Sequence, residues 1–309
     1  MSIVRFLLRW AGLSPASGLL VLVLGLFWYV YEAVFARPGM TYMGIPVAVD
    51  WKQPLTWARV FRNEGFMVGY SELRGNPLWV TYLLSPPPVN APHWPRPSRF
   101  SMDWRSLTRI DHEDFSNSGY DRGHLAPNHA ISVLYGRSAQ FQTFLMTNIS
   151  PQRPDLNRKV WERLEEVELD RLASRFGKLW VITGPVFDWK MERLSSAFRV
   201  EIPDSFYKIY AIPNNDSSKI RLLAFLIPQS VRGNEPLIQY LTTVDQVEVK
   251  TGLDFFADLD DSIEAKLEAG QQDIREWQVE TWSALPGRYS GQRPVTATRH
   301  HANRNDSEK

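Results

Sequence analysis

The chain opens with a long apolar run and then alternates short apolar blocks with polar segments. Between Arg9 and Glu32, 22 successive residues carry no charge. At about 1.5 Å per residue, a helix of this length spans the roughly 30 Å hydrocarbon core of a bilayer. Arg5 and Arg9 precede the run and no acidic residue does. This charge bias predicts a transmembrane helix whose N-terminus stays in the cytoplasm while the body crosses the membrane.

Two alternatives for this segment stay open. Val34 and Ala36 could be the small residues of a signal-peptidase site, and an arginine-bearing, acid-free start also suits an organellar presequence followed by an inner-membrane anchor. We expect residues 1–38 to be a membrane anchor or an uncleaved signal. In each case the body reaches a non-cytoplasmic space. We expect the bacterial periplasm, with the mitochondrial inner membrane or secretion as alternatives.

The body contains both strand-like and helix-like patterns. Runs of β-branched and aromatic residues predict strands at 66–70, 78–84, 179–183, 206–212 and 220–227. Turn residues at 74–77 join the first two runs into a β-hairpin, and six prolines make 85–97 a surface loop. Apolar steps of three and four residues predict a helix at 157–176 that stops at Gly177, and a polar-faced helix is predicted at 260–277. The order predicts an α+β domain around a mostly antiparallel sheet.

This pattern divides the chain into four parts. After the N-terminal segment, residues 39–64 are irregular and are predicted to be a connector that packs back on the domain. Residues 65–290 form the predicted domain. Residues 291–309 are polar and basic with little apolar content, which predicts a disordered tail.

Composition narrows the chemistry. The 35 Lys and Arg residues nearly balance 34 Asp and Glu residues, so binding to nucleic acid through bulk charge is excluded. The absence of cysteine excludes disulfides, thiolate zinc sites and a cysteine nucleophile, so a metal would bind to His, Asn, Asp or Glu. Because no glycine-rich phosphate loop and no GxSxG motif occur, we expect neither a nucleotide cofactor nor a serine hydrolase.

Two patterns carry candidate chemistry. Residues 121–124 read Asp-Arg-Gly-His and place an imidazole base and a guanidinium side by side, as phosphodiester hydrolysis requires. Asn157 and Glu165 lie eight residues apart on one predicted helix face, with Trp161 between them. Their separation of roughly 12 Å along the axis allows only one direct contact to a Mg²⁺ ion, the other acting through water. Each pattern alone has an ordinary structural reading as a turn or a capped helix.

Taken together, the motifs resemble a known family. The chain contains, in order, DRGH (121–124), APN (126–128), NISPQ (148–152), the N-x3-W-x3-E helix, VITGPVF (181–187) and TGLDFF (251–256). This set is similar to the DNA/RNA non-specific endonuclease family. The resemblance implies a ββα-metal, or His-Me finger, fold in which a hairpin presents the histidine and a helix presents a metal ligand.

The resemblance also implies roles for individual residues. His124 would be the general base, Asn157 the one direct protein ligand of Mg²⁺ (or Mn²⁺), and Glu165 the acceptor for a metal-bound water. Asn148 would bond His124 and fix its ring, while Asp121 would orient its neighbours. An ordinary histidine pKa then predicts that activity falls below about pH 6 to 7.

Further arginines are candidates for binding the substrate. Arg122 would contact a phosphate, and Arg99 is the best match to a family arginine at the scissile phosphate, with Arg96 and Arg105 nearby. Arg158 and Arg163 flank the metal helix and either bind phosphates or form an ordinary charged face.

The implied function is a Mg²⁺-dependent endonuclease without sugar specificity, which cleaves DNA and RNA to 5′-phosphate and 3′-hydroxyl ends. A 5′-exonuclease or phosphodiesterase on the same scaffold is one alternative, and a tethered, non-catalytic nucleic-acid-binding module is another. The resemblance leaves a homodimer open.

Overall fold

A computed structural model describes residues 14–270 and 274–287 of the 309-residue chain. The predicted tail at 291–309 lies outside the described residues. Strands are numbered along the chain as β1 (Val47–Ala48), β2 (Arg59–Asn63), β3 (Phe66–Ser71), β4 (Asn76–Leu84), β5 (Asp121–His124), β6 (Ile149–Gln152), β7 (Leu179–Val186), β8 (Arg193–Leu194), β9 (Ala197–Glu201), β10 (Ser205–Ile212), β11 (Arg221–Pro228), β12 (Leu241–Thr242) and β13 (Leu253–Asp254).

Seven of these strands form the central sheet. Their order is β12, β11, β10, β7, β4, β3, β2, and every neighbouring pair is antiparallel. The predicted hairpin is present as β3 and β4. Its turn contains Gly75 at φ 61°, a left-handed conformation that glycine adopts without a steric penalty. The predicted α+β fold with an antiparallel sheet is therefore confirmed.

Edge strand β2 lies inside the segment that the sequence predicts as a connector. It pairs with β3 along its whole length, from Arg59 opposite Tyr70 to Asn63 opposite Phe66. Phe61 in the middle of this strand is buried in the core. Two arginines and an asparagine among its five residues hide the strand pattern, because only Phe61 is both strongly apolar and buried.

The helices are α1 (Pro15–Tyr31), α2 (Asn128–Thr143), α3 (residues 156–176), α4 (Val244–Thr251), α5 (Asp261–Ala269) and α6 (Val279–Trp282). Within α3, π-helical segments Leu156–Trp161 and Glu168–Ala173 alternate with α-helical Glu162–Val167 and Ser174–Phe176. The predicted helix at 157–176 is confirmed. The helix predicted at 260–277 is too long, because α5 ends before Gly270.

The sheet separates two apolar cores. Alternate residues of β10 point to opposite faces, so Phe206 and Tyr210 pack in the core beneath α2 and α3, while Tyr207 and Ile209 pack in the core that contains Val247 of α4. Each large side chain buried in this way contributes about 1.5–3 kcal/mol to folding. The two faces therefore carry separate helical layers.

Helix α1 continues as a π-helical turn, Glu32–Ala36. The stretch Ala16–Ala36 is long and apolar enough to cross a membrane, judged by length and composition. Glu32 at its end is 5% exposed and accepts a hydrogen bond from Arg62 of β2 at 2.8 Å. This contact joins the end of the apolar helix to the edge of the sheet.

Candidate active site

Residues 121–176 fold as two antiparallel strands followed by a helix. In the β5–β6 pair, Arg122 lies opposite Pro151 and His124 lies opposite Ile149. Helix α2 is inserted between the strands, so they are not joined by a tight turn. Helix α3 begins four residues after the end of β6. The ββα arrangement that the resemblance implies is present, with an inserted helix.

A cavity of about 660 Å³ lies between these elements and the loop at 85–97. His124 of β5, Asn157 and Glu165 of α3, and Arg96 of the loop all line it. The fold thus brings together the three principal residues singled out in the sequence. The proline-rich loop forms one wall of the cavity, a role that the sequence analysis did not assign to it.

Asp121 controls the orientation of Asn157. A carboxylate only accepts hydrogen bonds, and Asp121 Oδ2 accepts one from Asn157 Nδ2 at 3.0 Å. The Asn157 amide oxygen is therefore the atom left available for a cation. Arg158 donates to both oxygens of Asp121, at 2.6 and 2.8 Å. These contacts agree with the orienting role expected for Asp121.

His124 sits in an apolar environment. Its ring centre lies 5.2 Å from that of Phe100 and 4.8 Å from that of Phe144. Burial, together with the positive charge of Arg96, lowers the pKa of His124 to about 3. Its Nε2 atom is buried and has no hydrogen-bond partner within residues 14–270 and 274–287. The imidazole is therefore neutral, as a general base must be.

Trp161 connects the helix to the histidine strand. Its indole Nε1 donates to the backbone oxygen of His124 at 3.1 Å, and its side chain is 1% exposed. The side chain of Lys208 lies below it, with Nζ 4.6 Å from the ring centre. Lys208 also donates to Glu168 at 2.9 Å, and both side chains are completely buried. This pair is absent from the candidates named from the sequence, although a single charge within the apolar strand at 206–212 indicates a buried ion pair.

Asn148 does not hold the His124 ring, so the role implied by the resemblance is wrong in this structure. Its Oδ1 accepts from Ala126 N at 2.9 Å, and its Nδ2 donates to the backbone oxygens of Ala126 and Thr143. Its own backbone oxygen accepts from Leu125 N at 3.1 Å. Asn148 instead fixes the backbone that directly follows His124.

Arg99 is also placed differently from the prediction. It pairs with Glu113 at 3.2 Å, is 68% exposed, and does not belong to the cavity lining. Arg96, three residues earlier, lines the cavity and lies over the Phe144 ring, with its guanidinium carbon 5.2 Å from the ring centre. Arg105 is tied to Asp103. Prolines on both sides of Arg96 direct the loop in a way that no periodic pattern encodes.

The remaining arginines divide into two groups. Arg122 lines the cavity and donates to the backbone oxygen of His112, with its Nε at 3.1 Å. Arg158 lines the cavity and is 67% exposed. Arg163, by contrast, is 6% exposed and donates to the backbone oxygens of Glu235 and Ser283. It is a structural residue, so its predicted contact with substrate is wrong.

Gly123 is needed for packing. A Cβ atom at this position would lie 2.2 Å from Oε1 of Gln152 on the paired strand. The close approach made by this glycine is thus to a neighbouring side chain of β6.

The donor set fits a hard divalent cation. Glu165 is half-buried at the cavity, and burial raises its pKa to about 8, although Lys208 opposes this effect. Carboxylate and amide oxygens with water are the ligands of Mg²⁺, which keeps several of its waters. Asn157 and Glu165 could hold such an ion from two positions on α3, and its charge would stabilise the ionised form of Glu165.

Comparisons with known proteins show which family this chain resembles. A family model described as DNA/RNA non-specific endonuclease matches residues 54–262, about two thirds of the chain. A nuclease of Serratia marcescens is 33% identical over 153 residues, which cover 48% of this chain and 55% of that protein. Human mitochondrial endonuclease G is 27% identical over 210 residues, covering 64% of this chain and 69% of that protein.

A solved structure supports the same fold. The crystal structure of the EndoG/EndoGI complex, which concerns the inhibition of EndoG, matches with a TM-score of 0.57 and 24% identity. The match covers 65% of this chain and 86% of that chain. The chain spans a little over half the length of the Serratia relative. The extent of the family match, together with the ββα site, shows that the chain belongs to the DNA/RNA non-specific endonuclease family.

Proposed function

We propose that the chain is a membrane-anchored, Mg²⁺-dependent endonuclease that hydrolyses DNA and RNA to 5′-phosphate and 3′-hydroxyl ends. The main support is the bond between Asp121 and Asn157. Because Asp121 and His124 are on one strand, this bond fixes the Asn157 amide oxygen relative to the histidine, with both residues lining one cavity. A base and an oxygen ligand held this way suit metal-assisted hydrolysis.

The residues divide the work of hydrolysis. His124 is neutral and takes a proton from the attacking water. Arg96 and Arg122 line the cavity and supply positive charge to the phosphate. A bound Mg²⁺ would supply charge neutralisation at the phosphate and the departing oxygen. Contacts of this kind go to phosphate and sugar, so they carry no base sequence information.

The test uses the purified full-length protein and supercoiled plasmid. We expect nicking with Mg²⁺ and none with EDTA. His124→Ala and Asn157→Ala are each expected to lower the rate by at least about a hundredfold, as loss of a general base does. His129→Ala is the matched control because His129 is exposed at the same cavity, and it is expected to keep most activity. Nicking that persists in both variants would refute the proposal.

The same assay separates the alternatives. An endonuclease cleaves circular DNA, whereas an exonuclease requires a free end and leaves a closed circle intact. A non-catalytic module binds DNA and leaves both forms uncut. Labelling the product termini then tests the proposed 5′-phosphate.

The anchor and the location are further parts of the proposal. Glu32, near the end of the apolar stretch Ala16–Ala36, contacts Arg62 and so joins the stretch to the domain. The arginines before the run favour a domain on the non-cytoplasmic side, in the periplasm of a bacterial host. Protease added to intact bacterial spheroplasts should digest the domain. Protection from protease until the membrane is lysed would contradict this orientation.

A further inference from the structure

Three carboxylates meet on the face of the sheet opposite the cavity. Asp245 and Glu248 come from α4, and Glu268 comes from α5. One oxygen from each side chain lies within 4.8 Å of an oxygen of the other two. Both helices lie on the side of the sheet where Val247 and Ile209 pack, whereas the cavity helix α3 packs on the Tyr210 side.

Glu268 is buried there with one oxygen that bonds to no described residue. It is 4% exposed, and its Oε1 has no hydrogen-bond partner in the described part of the chain. An unpaired buried carboxylate is costly, so proteins neutralise it with a proton, a cationic side chain or a metal ion. The oxygen without a partner belongs to the side chain that meets Asp245 and Glu248.

The side chains nearest to the three carboxylates are also acidic. Burial, followed by repulsion from Glu248 and Glu264, raises the pKa of Glu268 to about 9. Burial also raises the pKa of Glu248 to about 7, and Asp254 and Asp245 add to this effect. Phe255 N donates to Glu248 Oε1 at 2.8 Å. A doubly charged cation would relieve this repulsion.

The spacing matches one ion. Ca²⁺ binds oxygens at about 2.3–2.6 Å, so two oxygens on the same ion lie up to about 5 Å apart. The observed limit of 4.8 Å falls within this range. We propose that Asp245, Glu248 and Glu268 form a second divalent cation site, best suited to Ca²⁺, which links α4 to α5. Ca²⁺ is preferred over Mg²⁺ because it accepts several carboxylates in irregular geometry, whereas Mg²⁺ retains water.

This site is structural and independent of the nuclease reaction. It joins two helices that belong to the second core, and it shares no residue with the cavity. Ca²⁺ bound here stabilises the folded chain without altering the residues that act on phosphate. A protein outside the cytoplasm would meet higher Ca²⁺ concentrations than one inside, which suits the proposed location.

The test measures thermal unfolding of the full-length protein in detergent after removal of metals with EDTA and dialysis. The Asn157→Ala background removes the ligand of the other ion. CaCl2 alone should raise the Tm by roughly 5–10 °C at a hundredfold excess over its Kd. MgCl2 should give a smaller rise at equal concentration. Glu268→Gln should abolish the Ca²⁺ response.

Two controls keep the result interpretable. Asp261→Asn changes an exposed acid on α5, the helix that carries Glu268, and should keep the full Ca²⁺ response. If Glu268→Gln does not fold, Asp245→Asn tests the same site from α4, where the side chain is less buried than Glu268, and it should lose most of the response. With Asn157 intact, Glu268→Gln should nick plasmid in Mg²⁺ at the parent rate, so failure here is distinct from failure of the nuclease proposal. Equal Ca²⁺ responses in parent and variant, or no response in the parent, would overturn the site.

Discussion

Two buried glutamates on opposite faces of the sheet have opposite surroundings. Glu168, on the buried side of α3, is 0% exposed and accepts hydrogen bonds from Lys208, Tyr82 and Tyr210 at 2.9, 2.8 and 3.1 Å. Glu268 is 4% exposed, lies near other acids, and has an oxygen that no residue in the described ranges bonds. Similar burial therefore produces different chemistry, which is decided by the donors nearby.

The side of the sheet that carries Glu168 supports the candidate active site through buried contacts. Lys208 links Glu168 to the ring of Trp161, and Trp161 donates to the backbone of His124. Lys208 neutralises the charge of Glu168, so no bound ion is needed beside Glu168. Among the described residues that surround Glu268, no cationic side chain pairs with it as Lys208 pairs with Glu168. The charge of Glu268 must therefore be neutralised by a proton or by the proposed cation.

The largest expected effect comes from breaking the buried ion pair between Lys208 and Glu168. Lys208→Met leaves Glu168 buried without its cation and should lower the free energy of unfolding by about 3–5 kcal/mol. The double variant Lys208→Met with Glu168→Gln should recover part of this loss because no buried charge remains. Urea denaturation measures both. The exposed Lys178→Met is the control and should stay within about 0.5 kcal/mol of the parent.

The acidic face should make the metal-free protein less stable at high pH. A carboxyl whose pKa is raised on folding binds more protons when folded, so stability falls as pH rises from about 4.5 towards the folded pKa of about 9 for Glu268. In EDTA we expect the parent to lose about 1–3 kcal/mol between pH 6 and 8. Glu268→Gln should remove most of this slope. A slope unchanged by the substitution would mean that Glu268 is not the group responsible.

His124 gives the opposite slope. Its pKa is about 3 when folded against 6.5 ordinarily, so the unfolded chain binds more protons and stability falls as pH drops below 6.5. Between pH 7 and 5, in EDTA, His124 should account for about 2 kcal/mol of lost stability. His124→Gln should lack this contribution. The lowered pKa also replaces the earlier expectation of an activity loss at pH 6 to 7, because His124 remains neutral there.

A smaller effect is expected for the hydrogen bond between the Trp161 indole and the backbone of His124. Trp161→Phe replaces the indole by a smaller aromatic ring and removes the donor to the His124 oxygen; the lost hydrogen bond alone should cost about 0.5–1.5 kcal/mol of stability. The plasmid-nicking rate should fall because the strand that carries the base is less firmly held. An unchanged rate alongside the stability loss would show that the bond serves folding alone.

Local patterns predict much of this fold. The hairpin, the helix at 157–176 and the strands at 179–183, 206–212 and 220–227 follow from apolar spacing and turn residues, and the structure contains all of them. Strand β2 does not follow from spacing, because Phe61 is its only strongly apolar buried side chain. Gly270 ends α5 sooner than the polar pattern suggests.

The positions of site residues could be predicted where a motif supplies them. They could not be predicted where they depend on contacts with residues far away in the sequence. His124 and Asn157 both belong to motifs, and both line the cavity. Arg163 finds its acceptors 72 and 120 residues further along the chain. Arg96 reaches the cavity through a loop whose path depends on tertiary packing. No sequence period carries such information.

The most direct test of the central claim is the Mg²⁺ dependence of plasmid nicking in Asp121→Ala, which removes the acceptor for Asn157. If Asp121 turns the Asn157 oxygen towards the ion, this variant should need about 10–100 times more Mg²⁺ for half-maximal rate and approach the parent rate at saturation. Arg158→Ala removes the other partner of Asp121 and should change the Mg²⁺ requirement little. An Asp121→Ala protein with the parent's Mg²⁺ requirement would contradict the account.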